Sequence, residues 1–329
     1  MEIFDKEHHM KKKLTIILGI IVVLLIAAYF AVGNYFYNFA LNADDEKEFM
    51  EGNEHLEDSL LIDERLEADA TAADEAFLAE HQTESISITS NDKLKLKLAG
   101  YMYEQESKVS KWVIVAHGYT SSAAGMTRYI RHFYEQGYNV LAVDLRGHGN
   151  SEGDYIGMGW HDRLDMVEWI DEVVQQDAKA EIALFGISMG GATVMMTAGE
   201  ELPDNVKVIV EDCGYASVSD VFIYQLDDLF GLPEFPVIQA ANTVTNIRAG
   251  YDLYEASALE QLKKSQLPIL FIHGDKDTFV PFEMLDDVYN AAAGEKEQLI
   301  IEGAGHGEAV KVAPDTYWQA VDRFMGEHL

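Results

Sequence analysis

The chain has 329 residues, 48% of them hydrophobic, which is enough for one large α/β domain with extensions. Its 57 acidic and 24 basic residues give a formal net charge of −33, which excludes nucleic acid and other polyanions as partners. The single cysteine, Cys213, permits neither an internal disulfide nor a cysteine-rich metal site.

The N-terminal region predicts a membrane anchor. Residues 14–32 carry no charge, and as a helix they would span about 28 Å, close to the hydrocarbon thickness of a bilayer. Lysines occupy positions 11–13 and acidic residues follow the segment, so we expect a cytoplasmic tail over 1–13, a signal anchor over 14–34 and an extracytoplasmic remainder. A cleaved signal peptide is the alternative, but its apolar core usually has only about 7–15 residues.

The next segments differ in their hydrophobic pattern. Residues 35–84 are rich in Asp and Glu, and their self-repulsion predicts an acidic, solvated stalk. Residues 85–89 and 93–100 alternate between polar and apolar side chains, which predicts two half-exposed antiparallel strands.

From there to the C-terminus, short apolar runs alternate with helix-like segments. The runs lie at residues 112–116, 138–143, 182–185, 206–210, 269–272 and 298–301. Such alternation predicts an α/β fold whose mostly parallel sheet is covered by helices on both faces. Polar clusters follow these runs, at the carboxyl strand ends where such sheets bind ligands.

The sequence Gly186-Ile187-Ser188-Met189-Gly190 joins a buried strand to a helix. This is the context that a G-x-S-x-G nucleophile turn requires. The two glycines allow the backbone on either side of the serine to approach closely, which lifts the Ser188 hydroxyl clear of the sheet. We therefore predict that Ser188 is a nucleophile and that the amide of Met189 faces a developing oxyanion. A serine that merely caps a helix is the structural alternative.

With its strand-end motifs in this order, the chain from about residue 85 onward resembles an α/β-hydrolase. Within that superfamily it is similar to the serine-aminopeptidase-like and lysophospholipase-like hydrolases, which include monoacylglycerol lipases and cinnamoyl esterases. The resemblance implies that Ser188 is the nucleophile, Asp277 the acid and His306 the base, in the order Ser, Asp, His along the chain. It also implies that Tyr119, after His117-Gly118, gives the second oxyanion amide.

The residues themselves leave the choice of acid open. Asp277 fits the family pattern G-x-x-D-x-x-V-P, while Asp212 and Asp275 also lie at strand ends. His306 follows the last strand within a glycine-rich loop, so it can reach the serine as a base. His117 and His273 are interpreted as hydrogen-bonded framework residues.

An insertion over about residues 214–266 interrupts the strand–helix alternation, and we expect it to form a small helical cap over the site of the hydrolase domain, residues 85–329. Most of its apolar side chains should pack on the sheet. Phe222, Tyr224 and Phe230 are candidates for an acyl or aryl pocket.

The sequence therefore predicts a single-pass protein of the cell membrane, with an extracytoplasmic serine hydrolase domain that cleaves carboxylic esters through an acyl-enzyme. The predicted substrate is a small ester or a lipid-like molecule. No metal and no organic cofactor is implied. A serine peptidase or amidase of the same fold is the alternative enzyme, because the cap is acidic. A surface binding protein on a hydrolase scaffold is the alternative of another class.

Overall fold

A computed structural model describes residues 2–57, 59–81 and 83–329. Its strands are β1 (Glu84–Thr89), β2 (Lys97–Tyr103), β3 (Lys111–Ala116), β4 (Asn139–Val143), β5 (Glu181–Ile187), β6 (Val206–Asp212), β7 (Ile269–Gly274) and β8 (Lys296–Ile301). They form one sheet in the order β1-β2-β4-β3-β5-β6-β7-β8. The β1–β2 and β2–β4 pairs are antiparallel, and the remaining pairs are parallel.

Two helices precede this sheet, α1 (Glu2–Leu41) and α2 (Glu64–Glu80). The helices that follow are α3 (Thr127–Glu135), α4 (Asp162–Gln176), α5 (Met189–Thr197), α6 (Val218–Phe230), α7 (Glu234–Arg248), α8 (Ala258–Leu262), α9 (Glu283–Ala291), α10 (Ala309–Val312) and α11 (Pro314–His328). Short 3-10 turns cover Glu48–Met50, Glu54–Leu56 and Ala123–Met126.

The central strands are buried on both faces, as their continuous apolar runs predict. Along β3, Trp112 and Ile114 pack into one apolar layer, while Val113 and Val115 pack into the layer on the other face. Helices α4 and α5 contribute to the first layer, and α3 and α11 to the second. The predicted parallel sheet with helices on both faces is confirmed.

One predicted strand begins later than its pattern indicates. Residues 93–96 alternate like a strand, but β2 begins only at Lys97. The reason is a local turn in which the Asp92 carboxylate accepts hydrogen bonds from the amides of Leu94 and Lys95. Arg146 holds the other oxygen of Asp92 at 2.9 Å, so the turn is fixed against the domain.

Helix α1 continues beyond the apolar segment. Residues His8–Leu41 are long and apolar enough to cross a membrane, with a mean hydropathy of 2.9 in the most apolar window, whose side chains are almost entirely exposed. The last turns of α1 instead pack on α7, where Gly33 lies so close to the Ala240 carbonyl that a Cβ atom would collide with it.

The acidic segment between α1 and the sheet lies on the domain, whereas its composition predicts a solvated stalk. Glu67 and Asp74 of α2 form ion pairs with Arg128 of α3. On the same helix, Phe77 is buried against Tyr103. A few specific pairs therefore hold this part of the chain in spite of its overall negative charge.

Candidate active site

Ser188 stands at the turn between β5 and α5, in the backbone geometry that its motif predicts. Its φ and ψ are 55° and −116°, a strained conformation for a residue with a side chain. A Cβ atom at Gly186 would collide with the carbonyl of Gly190, and one at Gly190 would collide with that of Ala116. Both glycines are therefore needed for the close approach that presents the serine.

A continuous hydrogen-bonded chain links Ser188 to a carboxylate. Its Oγ lies 2.8 Å from Nε2 of His306, and Nδ1 of His306 lies 2.7 Å from Oδ2 of Asp277. With Asp277 as the acceptor, Nδ1 carries the proton and Nε2 is free to accept one from the serine. The structure thus brings together the three side chains predicted to be catalytic.

Asp277 is held on both of its oxygens. Oδ1 accepts the amides of Phe279 and Val280, while Oδ2 lies 3.1 Å from Nε2 of His273 as well as near His306. Burial opposes ionisation of Asp277, but its interactions with His306 and His273 hold its pKa well below the usual range. The carboxyl group is therefore an anion that orients His306. His273 belongs to this framework, as predicted for it.

The two amides predicted to stabilise an oxyanion lie beside the serine. The amide of Met189 begins α5, so it has no partner within that helix. The loop before Tyr119 touches the nucleophile, since a Cβ atom at Gly118 would be 3.4 Å from that of Ser188. Within the described residues, neither amide donates to a protein acceptor. The Tyr119 hydroxyl donates to the carbonyl of Ala40, which fixes this loop against α1.

The alternative acids are engaged elsewhere. Asp212 accepts a hydrogen bond from the Tyr317 hydroxyl, and burial raises its pKa to about 6. Asp275 accepts a hydrogen bond from the amide of Gly303 at 2.6 Å.

Cys213 is buried next to His306 and Asp277, and burial raises the pKa of its thiol well above the usual value. The thiol therefore remains protonated and acts as a packing residue.

Two cavities meet at Ser188. One, of about 90 Å³, has an almost entirely apolar lining, which includes Phe222, Leu226, Phe230 and Ile238 of α6 and α7, the two long helices of the predicted cap. The other, of about 390 Å³, is more polar, and its lining includes His306, Ser121, Arg128, Glu67 and Asp74. Ser188 lines both cavities, whereas His306 lines only the polar one.

The predicted pocket residues are only partly brought together. Phe222 and Phe230 line the apolar cavity, whereas Tyr224 lines neither cavity and donates its hydroxyl to the carbonyl of Thr278. Phe222 and Tyr224 are two residues apart on α6, so their side chains point in nearly opposite directions around the helix. Of the three candidate pocket residues, Phe222 and Phe230 therefore line the apolar cavity, and Tyr224 lies outside both cavities.

Sequence reasoning missed one wall of the apolar cavity. Phe36, Phe39 and Ala40 of α1 line it, together with Phe49 from the segment that follows. The spacing of the first three residues is i, i+3 and i+4, which places them on one face of a helix. That spacing continues past the apolar segment, and it is the signal by which this wall could have been predicted.

Comparisons with known proteins agree with the fold. A model of the serine aminopeptidase family S33 matches residues 107–215. The chain is 28% identical over 214 residues to YqkD of Bacillus subtilis, an alignment that covers 65% of this chain and 70% of the relative. It is 26% identical over 199 residues to a Saccharomyces cerevisiae protein described as a membrane protein, covering 59% and 63% of the two chains.

Solved structures show the same architecture. An esterase from Pyrococcus furiosus has a TM-score of 0.61 and 24% identity, and the match covers 76% of this chain and 92% of the esterase. An acylaminoacyl peptidase from Pyrococcus horikoshii has a TM-score of 0.57 and 18% identity, covering 74% and 41% of the two chains. At these sequence identities, the similarity to both solved structures is a similarity of fold.

The sheet order, the glycine-bounded serine turn and these matches show that the chain has the α/β-hydrolase fold.

Proposed function

We propose that the protein is a membrane-anchored, extracytoplasmic serine hydrolase that cleaves carboxylic esters with an apolar acyl group through an acyl-enzyme intermediate. The observation that carries the proposal is the hydrogen-bonded chain from Ser188 through His306 to Asp277, beside two cavities of opposite polarity. The anchor is supported by the apolar part of α1, and its orientation by the lysines that precede that part.

The reaction begins when Ser188 Oγ attacks the ester carbonyl carbon while His306 Nε2 takes the hydroxyl proton. Negative charge then develops on the carbonyl oxygen and is stabilised by the amides of Tyr119 and Met189, at about 3 kcal/mol per donor in comparable sites. Asp277 stabilises the imidazolium without taking its proton. His306 then protonates the departing alkoxide, and the alcohol leaves an acyl group on Ser188.

Hydrolysis of the acyl-enzyme repeats these roles with water as the nucleophile. His306 removes a proton from the water, whose oxygen attacks the acyl carbon, and returns that proton to Oγ as the acid is released. Because His306 must reach the leaving group, the alcohol belongs on its side of the site, in the polar cavity. The acyl group then occupies the apolar cavity.

The charges of the site favour ester hydrolysis over aminopeptidase activity. An aminopeptidase binds the ammonium group on the acyl side of the scissile bond, which requires a carboxylate there. Among the described residues, no Asp or Glu lines the apolar cavity. Two carboxylates of the cap are engaged elsewhere, since Asp220 accepts a hydrogen bond from Ser217 and Asp228 pairs with His55. Glu67 and Asp74 of the polar cavity are paired with Arg128.

Peptidase activity remains the second candidate, because the family model is that of a serine aminopeptidase and one structural neighbour is an acylaminoacyl peptidase. The purified full chain in detergent separates the two when it is given p-nitrophenyl esters and aminoacyl p-nitroanilides. We expect ester turnover that Ser188→Ala abolishes and that the exposed control Ser107→Ala retains. Faster cleavage of the anilides would favour the peptidase, and the absence of turnover on both would refute the proposed activity.

A further inference from the structure

The apolar cavity is closed on one side by the membrane-anchor helix. Phe36, Phe39 and Ala40 form its wall at the end of α1. The ring of Phe230, on the cap, packs edge-on against Phe36 and Phe39 with centroids 5.2 Å away in each case. Phe49 stacks on Phe39 at 4.5 Å from the other direction. The end of α1 is thus built into the cavity between the cap and the preceding segment of the chain.

Contacts along α7 fix α1 on the cap. The hydroxyl of Tyr29 lies 2.8 Å from the carbonyl of Gln239, and Gly33 packs against Ala240. Further along both helices, Arg248 donates to the side chains of Asn34 and Asn38 and lies over the ring of Tyr37. These pairs advance in the same direction on both helices, so α1 and α7 run parallel.

That parallel packing brings the beginning of α7 towards the bilayer. Phe235 precedes Gln239, so it lies on the membrane side of the level at which Tyr29 contacts the cap. Its side chain is 74% exposed, and Leu232 just before it is also exposed. Aromatic and apolar side chains at this depth are favoured at a membrane interface. With the apolar part of α1 in a bilayer, the cap and the cavity beneath it would lie at the membrane surface.

The same helix end also touches the catalytic loop. The carbonyl of Ala40 accepts the Tyr119 hydroxyl at 2.7 Å, and the ring of Phe49 lies 6.3 Å from that of Tyr119. Ser188 and the α1 wall line the same cavity. A substitution in that wall therefore changes the space beside the nucleophile.

We propose that the end of α1 is part of the acyl-binding site, so that the residues Phe36, Phe39 and Ala40 determine chain-length specificity and the substrate is an acyl ester presented by the membrane that holds the anchor. The proposal rests on the ester hydrolase function given above. The end of the anchor helix is thus also one wall of the acyl site. The acyl chain lies along this wall in the apolar cavity, and the alcohol lies beside His306 in the polar cavity.

The test compares p-nitrophenyl acetate with p-nitrophenyl octanoate on the full chain in detergent. Ala40→Phe fills the cavity, and we expect it to lower the octanoate-to-acetate ratio of kcat/KM at least about tenfold, since excess volume in an acyl pocket excludes longer chains. The control is Ala31→Phe, an identical change at an exposed position of α1, which should leave the ratio unchanged. An unchanged ratio in Ala40→Phe would overturn the proposal.

A second variant covers the case in which Ala40→Phe loses acetate turnover as well. Phe36→Ala removes a ring from the same wall and so enlarges the cavity. We expect this variant to prefer longer acyl chains than the wild type does. An unchanged chain-length preference would overturn the assignment of α1 to the acyl-binding site. If the wild type hydrolyses neither ester, the proposed activity itself fails. If the wild type is active and both variants keep its preference, only the role of α1 fails.

Discussion

Asp277 fixes His306 with one carboxylate oxygen while its other oxygen accepts two backbone amides. This arrangement predicts the effect of Asp277→Asn. The amide keeps the volume of the side chain but can no longer hold the imidazole in the required tautomer, so we expect kcat for an ester to fall about 10³–10⁴-fold with little change in melting temperature. Steady-state kinetics and thermal unfolding in the same detergent measure both quantities.

Matched controls are available at the two other candidate acids. Asp275→Asn and Asp212→Asn alter carboxylates that bond to Gly303 and Tyr317. Each should reduce kcat far less than Asp277→Asn does, because neither carboxylate bonds to His306. A loss at either position that equals the loss in Asp277→Asn would reassign the acid.

Glu211 gives a pH-dependent prediction. Burial raises its pKa from the usual 4.5 to about 8, although His273 and the amide of Gly214 partly oppose this. The folded state therefore keeps a proton that the unfolded state has already lost, and the free energy of unfolding falls as the pH rises from about 4.5 to about 8. Above that window the loss is complete.

Glu211→Gln removes this loss while it keeps an oxygen for the Gly214 amide. We compare the free energy of unfolding of the variant with that of the wild type at each pH. The difference should shift in favour of the variant by roughly 2–4 kcal/mol from pH 5 to pH 9, which corresponds to several degrees of melting temperature. Thermal unfolding at the two pH values measures the difference. Parallel shifts of both proteins with pH would show that Glu211 does not carry this dependence.

At the scale of elements, the contact between α1 and α7 depends on a glycine. A Cβ atom at Gly33 would collide with the Ala240 carbonyl, so Gly33→Ile forces the two helices apart. We expect the variant to lose about 1–3 kcal/mol of stability, the usual cost of overpacking. Thermal unfolding of the full chain in detergent tests this.

The same helix contains its own control. Gly19 has open space around it, so Gly19→Ile should leave the melting temperature of the domain unchanged. Equal destabilisation by both variants would indicate an effect of the substitution on α1 itself. Equal stability would mean that the anchor does not pack on the cap.

The buried strands and the serine turn could be predicted because their signals are local. An apolar run such as that of β5, followed by glycines around Ser188, defines both the strand and its turn within a few residues. The spacing of Phe36, Phe39 and Ala40 indicates an apolar helix face, but the element that this face packs against could not be predicted locally. Tyr29 meets Gln239 across 210 residues of sequence, and no local pattern encodes that pairing.

Two other differences also have non-local causes. The alternation in residues 93–96 predicts a strand, but Arg146 holds Asp92 in a turn at that place. The acidic composition of residues 35–84 predicts a solvated stalk, whereas Arg128 pairs with two of its carboxylates. In both cases a cation from a distant element decides the local structure.

At the scale of the whole molecule, charge predicts the orientation in the membrane. Three lysines precede the apolar part of α1, and a strongly acidic chain follows it. Cys213 is buried, so an introduced cysteine can be labelled over a low background. We expect a membrane-impermeant maleimide to label Glu201→Cys in intact cells and to label Lys11→Cys only after lysis. The reverse pattern would place the catalytic domain inside the cell.

The proposed hydrolase activity depends most on Ser188 being the activated nucleophile. A fluorophosphonate probe tests this directly, because phosphorus bonds to an activated serine oxygen as fluoride leaves. On the full chain, mass spectrometry should find one adduct on the peptide that contains Ser188, no adduct in Ser188→Ala, and much slower labelling in His306→Ala. Equal labelling of Ser188→Ala, or a stoichiometric adduct on another serine, would contradict the account.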